Sequence, residues 1–231
     1  MRSPRRAALP TQCAVCRGWD RQRLCRDCTA RHLVAAPRCR HCAQCVPEGH
    51  AVCGACLREP PPWEACVALA DYAWPWDTLV SRLKFHDALD LAPLLADALA
   101  DAVAARGDPL PNWVLPVPLS PQRLRERGYN QAWELARRVA RRLGCRSDAS
   151  LLLRIKDTPP QLALPREARA ANLRGAFLVE PRRAARLQGC EVALVDDVLT
   201  TGATAGEAAL TLRRAGAARV SCWVVARTPL H

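Results

Sequence analysis

Lysine is nearly missing from this chain. Of 34 basic residues only Lys84 and Lys156 are lysine, and Ile155 is the only isoleucine. Alanine and arginine abound, a compositional bias that makes any single arginine a weak functional signal and gives the two lysines more weight. Long apolar runs are absent as well. No stretch approaches the roughly 18 uncharged apolar residues that a membrane-spanning helix needs, so no membrane span is expected. The basic start, Met1-Arg-Ser-Pro-Arg-Arg-Ala-Ala-Leu-Pro10, has no apolar segment behind it, and a secretory leader is therefore not expected. The chain reads as cytoplasmic, where thiols stay reduced and clustered cysteines act as metal ligands rather than disulfides.

Half of the 231 residues are apolar, enough for a packed core, and the length suits one full domain with a small module attached. The formal charge of +12 is loaded toward the front: residues 1–60 carry 11 arginines and 4 acids. Such a field suits a polyanion, because basic groups gain by displacing phosphate counterions. The competing reading is biased composition that serves solubility.

Nine of the 13 cysteines fall between Cys13 and Cys56. They form four Cys-x2-Cys knuckles, Cys13/Cys16, Cys25/Cys28, Cys39/Cys42 and Cys53/Cys56, with Cys45 left over. Two knuckles close a tetrahedron around zinc, so the four could hold one or two structural Zn2+ ions, closed to any substrate. The segment has few large apolar residues, and metal ligation would supply its folding energy. Sequential pairing needs the shortest loops, interleaved pairing is an alternative, and Cys45, His32, His41 or His50 could each substitute as a ligand. Glu59-Pro-Pro-Pro62 is a stiff spacer and marks the boundary between a module over 1–62 and a domain over 63–231.

Beyond Trp63 the periodicity changes. Residues 66–72 and Trp113–Leu119 read as strands, Trp76 to Arg106 as helix broken near Asp90 to Pro93, and residues 150–155 and 176–179 as further strands. Asn130 to Leu143 has helical spacing, with Trp133, Ala136, Ala140 and Leu143 on one face and Arg137, Arg138, Arg141 and Arg142 on the other. The arginine face reads as a solvated surface rather than a nucleic-acid site. Glu191–Val195 is a buried-type strand, Thr204 to Arg214 a helix and Arg219–Ala226 another strand. The alternation predicts an α/β fold, a mainly parallel sheet flanked by helices.

The most informative stretch is Val192-Ala-Leu-Val-Asp-Asp-Val-Leu-Thr-Thr-Gly-Ala-Thr204. A strand delivers Asp196 and Asp197 at its carboxyl end, where ligands of open α/β sheets bind. A hydroxyl-rich loop then opens a helix. Backbone N–H groups from Thr200 through Thr201, Gly202 and Ala203 to Thr204 would converge on a phosphate, helped by the helix N-terminus, with Gly202 permitting close approach. Acids beside a phosphate cradle suit a sugar phosphate, whose ribose hydroxyls donate to the carboxylates. No Gly-Lys-Ser/Thr is present, so this is not a Walker loop. The string resembles the 5-phosphoribosyl-1-pyrophosphate (PRPP) motif of type I phosphoribosyltransferases.

Taken with the four knuckles, Cys53–Pro62, Leu83-Lys-Phe85, Val117–Gln131, Asp157-Thr-Pro-Pro-Gln161 and Asn172–Phe177, the whole chain resembles the competence protein F (ComF) family. The resemblance implies a double zinc ribbon followed by a type I phosphoribosyltransferase-like domain. It further implies a role in DNA uptake during natural transformation, with single-stranded DNA and other competence proteins as partners. PRPP or a nucleotide is the implied ligand, and Mg2+ would accompany PRPP. Pyrophosphate would be gripped by the loop Pro118 to Arg127, where Arg123, Arg125 and Arg127 suit phosphate oxygens and at most two of them point inward. Lys84 is a second candidate, and Lys156 to Arg174 reads as a lid or an ordinary exposed loop. Trp19 and Trp63 are possible stacking partners for a single strand. Three functions stay open: an active transferase joining PRPP to a base, with Asp196 and Asp197 at the reacting sugar; a nucleic-acid-binding competence factor; and a nucleotide-sensing regulator. No residue set identifies an acceptor base.

Overall fold

The structure is a computed structural model, and it describes residues 10–156 and 173–229. The chain divides into two compact units, Met1–Ala35 and Ala36–His231. In the smaller unit a two-residue ribbon, β1 (Thr11–Gln12) and β2 (Trp19–Asp20), precedes helix α1 (Arg26–His32). The larger unit begins with the third and fourth knuckles, the latter opening helix α2 (Gly54–Arg58). This dividing line differs from the one drawn at the proline run, and hydrogen bonds explain why. The Cys66 N–H donates to the Arg40 carbonyl at 2.7 Å, Trp63 Nε1 donates to the His41 carbonyl at 2.6 Å, and Arg38 pairs with Asp71 at 2.7 Å. The second pair of knuckles is thereby part of the α/β body.

That body is a four-stranded parallel sheet. Its strands are β3 (Ala65–Asp71), β4 (Trp113–Pro116), β7 (Glu191–Leu199) and β8 (Arg219–Arg227), in the order β3-β8-β7-β4. Two short strands, β5 (Leu152–Arg154) and β6 (Phe177–Val179), form an antiparallel ribbon. The helices are α3 (Trp76–Phe85), α4 (Ala92–Ala104), α5 (Pro121–Arg127), α6 (Gln131–Leu143) and α7 (Ala203–Arg214). Alternation along the strands separates two apolar layers. Val192 and Leu194 of β7 join Val220, Cys222 and Val224 of β8 and Ala205, Ala208, Ala209 and Leu212 of α7 in one core. The intervening Ala193, Val195, Trp223 and Val225 are buried too, on the side where α4 and α6 pack.

Three local expectations need correction. The buried face of α6 is Ala132, Leu135, Ala136, Val139 and Ala140, with Trp133 and Leu143 only half-buried at its edge. Three of its four arginines are engaged with acids: Arg137 and Arg138 with Glu134 at 2.5 Å, and Arg142 with Asp101 at 2.5 Å. Strand β7 runs on past Val195 to Leu199 because β8 keeps pairing with it, through Asp196↔Val224 and Leu199↔Arg227. The loop expected over Pro118 to Arg127 is mostly helix α5, with Ser120 as its N-cap and Gly128 at φ +78° as its C-cap. The expected lid falls almost wholly on residues 157–172, outside the described residues. No helix among the described residues is long and apolar enough to cross a membrane.

Candidate functional site

The knuckles pair sequentially. Cys13, Cys16, Cys25 and Cys28 place their sulfurs within 4.8 Å of one another, and Cys39, Cys42, Cys53 and Cys56 do the same. Cys16 and Cys25 sulfurs lie 3.7 Å apart, and those of Cys42 and Cys53 3.6 Å. Tetrahedral thiolates around zinc, with Zn–S near 2.3 Å, sit about 3.8 Å apart. Charge points the same way. Burial pushes the Cys13 thiol up, but the N–H groups of Cys25, Cys16 and Val15 outweigh it and bring its pKa to about 6. Burial, then the sulfurs of Cys25, Cys16 and Cys13, push Cys28 up to about 12. The second cluster repeats the conflict, with Cys39 brought down to about 7 and Cys42 pushed up to about 11. Four thiols this close cannot all ionise unless a cation sits among them, and either cluster could hold zinc. Cys45 stands outside, its thiol 3.6 Å from Asp71 Oδ2, and His32, His41 and His50 belong to neither cluster.

Strand β4 pairs with β7 only as far as Pro116↔Val195. Past that point β7 continues alone on this side, and a cavity of about 760 Å3 opens where Asp196 and Asp197 emerge. Lys84, Arg123, Arg127, Asp196, Asp197, Thr200 and Thr204 line it together, so seven of the ten residues expected to bind a sugar phosphate share one space. Arg125 is not among its walls. Arg123 and Arg127 are one helical turn apart on α5, and that spacing puts those two on one face. Thr201, Gly202 and Ala203 line instead a second cavity of about 420 Å3, shared with Cys42, Cys56 and Trp63. The Thr201 hydroxyl accepts from the Ala203 N–H at 3.4 Å, at the start of α7.

Asp197 is 2% exposed, and its Oδ1 lies 3.0 Å from Lys84 Nζ while its Oδ2 is buried without a hydrogen-bond partner. Its N–H donates to Asp196 Oδ1 at 2.8 Å. Burial, then the Asp197 charge, push the Asp196 carboxyl up to about 8 against the opposing pull of Lys84. Burial would lower the Lys84 pKa, yet the charges of Asp197 and Asp196 win and raise it. The pair therefore presents one free, desolvated carboxylate oxygen and a carboxyl that tends to keep its proton. Both can bond neighbouring hydroxyls. Tyr129 donates its hydroxyl to the Leu83 carbonyl and so anchors the end of α3 that carries Lys84.

Sequence reasoning missed Arg227. This guanidinium is 4% exposed, and Nη1 donates to the carbonyls of Leu199 and Thr228 at 2.8 Å each and to that of Thr200. Its Nε donates to the Cys42 carbonyl at 2.8 Å. One side chain thus ties the start of the threonine loop to the second cysteine cluster. In a chain so rich in arginine, a lone arginine ending an apolar strand carried no readable signal. Trp63 makes a second tie. A Cβ at Gly202, which sits at φ +83°, would lie 2.9 Å from Trp63 Cη2. The glycine is required by its backbone and by this indole. Trp63 is also 5% exposed and cannot stack on a nucleic acid, whereas Trp19 is 71% exposed.

No family model matches the chain. It is 36% identical over 232 residues to DNA utilization protein YhgH of Salmonella typhi, covering 95% of this chain and 98% of that protein. It is 34% identical over 223 residues to competence protein F of Haemophilus influenzae, covering 94% and 96% respectively. Among solved structures it is similar to glutamine PRPP amidotransferase from B. subtilis in complex with ADP and GMP. That match has a TM-score of 0.40 and 20% identity, over 58% of this chain and 26% of the other.

Proposed function

The chain belongs to the family of DNA utilization protein YhgH and competence protein F, and from that premise we propose that it acts in DNA uptake through a cytoplasmic PRPP or nucleotide site. One observation carries the reading: the two acids, the lysine, two arginines and two threonines of the motif surround a single cavity at the carboxyl end of a parallel sheet. In this reading Asp196 and Asp197 accept from ribose hydroxyls, and Thr200 and Thr204, at the two ends of the threonine loop, take the 5′-phosphate. Arg123 and Arg127 face a pyrophosphate with its Mg2+. The two cysteine clusters hold structural zinc. A basic N-terminal segment with an exposed Trp19 supports single-stranded DNA or RNA as a further partner, bound mainly through its backbone and therefore weakened by salt.

Calorimetry with PRPP, ribose 5-phosphate and AMP, each with and without Mg2+, tests the site. Binding of at least one, lowered tenfold or more when Asp196 and Asp197 are both replaced by Ala, is the expected result; no binding of any of the three overturns it. Pyrophosphate release from PRPP across a panel of bases separates an active transferase from a binding protein.

A further inference from the structure

Aromatic residues are 5% of this chain, and five of the eleven are buried. Trp63, Trp76, Trp113, Phe177 and Trp223 are each at most 5% exposed. Beside Trp19 and Trp74, two more are exposed, Tyr72 and Phe85. They are 38% and 66% exposed, and both line the cavity that holds Asp196, Asp197 and Thr200. Phe85 directly follows Lys84, whose ammonium lies 3.0 Å from Asp197 Oδ1, and both residues line the same cavity as the acid pair. Tyr72 directly follows β3, and its N–H donates to the Arg227 carbonyl at 2.8 Å, which fixes it to the end of β8. The Arg127 guanidinium stands 5.2 Å from the centroid of the Phe85 ring. Two water-exposed rings on the wall of a charged cavity offer π-faces to a planar partner, and the cations beside them call for an anion.

From this wall we infer that the ligand class of the site is a nucleoside 5′-monophosphate, held by its base against Phe85 and Tyr72, and not a bare sugar phosphate. The inference rests on the reading that the acids and the threonine loop hold a ribose phosphate. A base then extends from the sugar toward the remaining wall, in a cavity whose 760 Å3 lies in the range of ordinary small-molecule sites. It supplies the base-recognition element that no sequence motif revealed.

The test compares AMP and ribose 5-phosphate by calorimetry on the full chain, as wild type, Phe85→Ala and Phe85→Trp. Phe85 is exposed, so neither substitution threatens the fold. Base–aromatic stacking predicts that wild type binds AMP about tenfold or more tighter than ribose 5-phosphate. Phe85→Ala should erase that margin while leaving ribose 5-phosphate within about twofold, and Phe85→Trp should restore it. Equal affinity of wild type for the two ligands, or a Phe85→Ala variant that keeps its preference for AMP, overturns this inference and leaves the sugar-phosphate site standing. Binding of neither ligand by wild type overturns the site itself, and the inference with it.

Discussion

The two cysteine clusters are the same local fold made twice. In each, the N–H of the first cysteine bonds the carbonyl five residues on, Cys13 to Gly18 and Cys39 to Gln44, both at 2.8 Å. The residue after the second cysteine turns left-handed, Arg17 at φ 65° and Ala43 at φ 57°. Its N–H returns to the first cysteine's carbonyl, at 3.1 Å and 2.8 Å. The third cysteine then N-caps a short helix, Cys25 for α1 and Cys53 for α2. What differs is the surroundings. The first copy closes within a unit ending at Ala35. The second copy is a wall of the α/β body, with Cys42, His41 and Arg40 all giving carbonyls to that body. Ligand spacing dictates the knuckle fold in both copies, and only the contacts around it tie one of them to the threonine loop.

The sharpest way to break this contrast is to substitute the equivalent cysteines, Cys16→Ser and Cys42→Ser. Loss of a structural metal removes most of a small module's folding energy. Cys42→Ser should release the Cys42 carbonyl from Arg227, lower the melting temperature of the main transition and abolish measurable AMP binding. Cys16→Ser should leave AMP affinity within about twofold. Equal losses in both variants would show that the copies do not differ in the way their contacts imply.

Arg227 sharpens the comparison next. Four thiolates around one zinc ion would leave two negative charges, and this buried cation, bonded to the Cys42 carbonyl, stands where it could balance part of them. Arg227→Ala strips the donor from four carbonyls, those of Cys42, Leu199, Thr200 and Thr228, and should cost about 3 kcal/mol or more. Arg227→Lys keeps the charge but has no fork to reach them all, and should recover only part of the loss in denaturant unfolding.

Gly202 probes the other tie between cluster and loop. Gly202→Ala forces a Cβ onto Trp63 at a positive φ and should cost about 1–3 kcal/mol. In a Trp63→Phe background the contact with Cη2 is gone, so the same substitution should cost at least about 0.5 kcal/mol less. Strict additivity in this double-mutant cycle would assign the glycine to its backbone angle alone.

How much of this was legible in the sequence depends on where each signal lived. The knuckles, β3, α6 and the acid–threonine string could be read because each is a local pattern. Helix α5 was also written locally, as Ser120-Pro121 at the start and Gly128 at the end, but the resemblance to the transferases implied a loop there. The continuation of β7 through two acids could not be read, because it depends on β8 pairing beside it. Arg227 and Trp63 were illegible for the same reason: their partners are 185 and 22 residues away. Tyr72 and Phe85 line one cavity only because β3 and α3 both end there.

The smallest effect lies on the cavity side of the same loop. If the second cluster and Arg227 hold the loop in place, the acids themselves are free to be costly, and Asp196 is. Its folded carboxyl keeps a proton up to about pH 8, whereas the ordinary value is 3.8. Between those limits the folded state binds more protons than the unfolded state, so this contribution is full below the lower value and is lost as pH rises through the upper one. Stability should therefore fall between pH 6.5 and 8, by at most about 1.4 kcal/mol per pH unit. Asp196→Asn cannot ionise and should flatten that slope, melting higher than wild type at pH 8 while binding AMP more weakly. Wild type and Asp196→Asn share every other titrating group, so the difference between their thermal melts at pH 6.5, 7.25 and 8 isolates the carboxyl. A variant whose melting temperature tracks wild type at all three values would mean that Asp196 ionises freely, and that the site places no electrostatic strain on the loop that Arg227 and Trp63 hold.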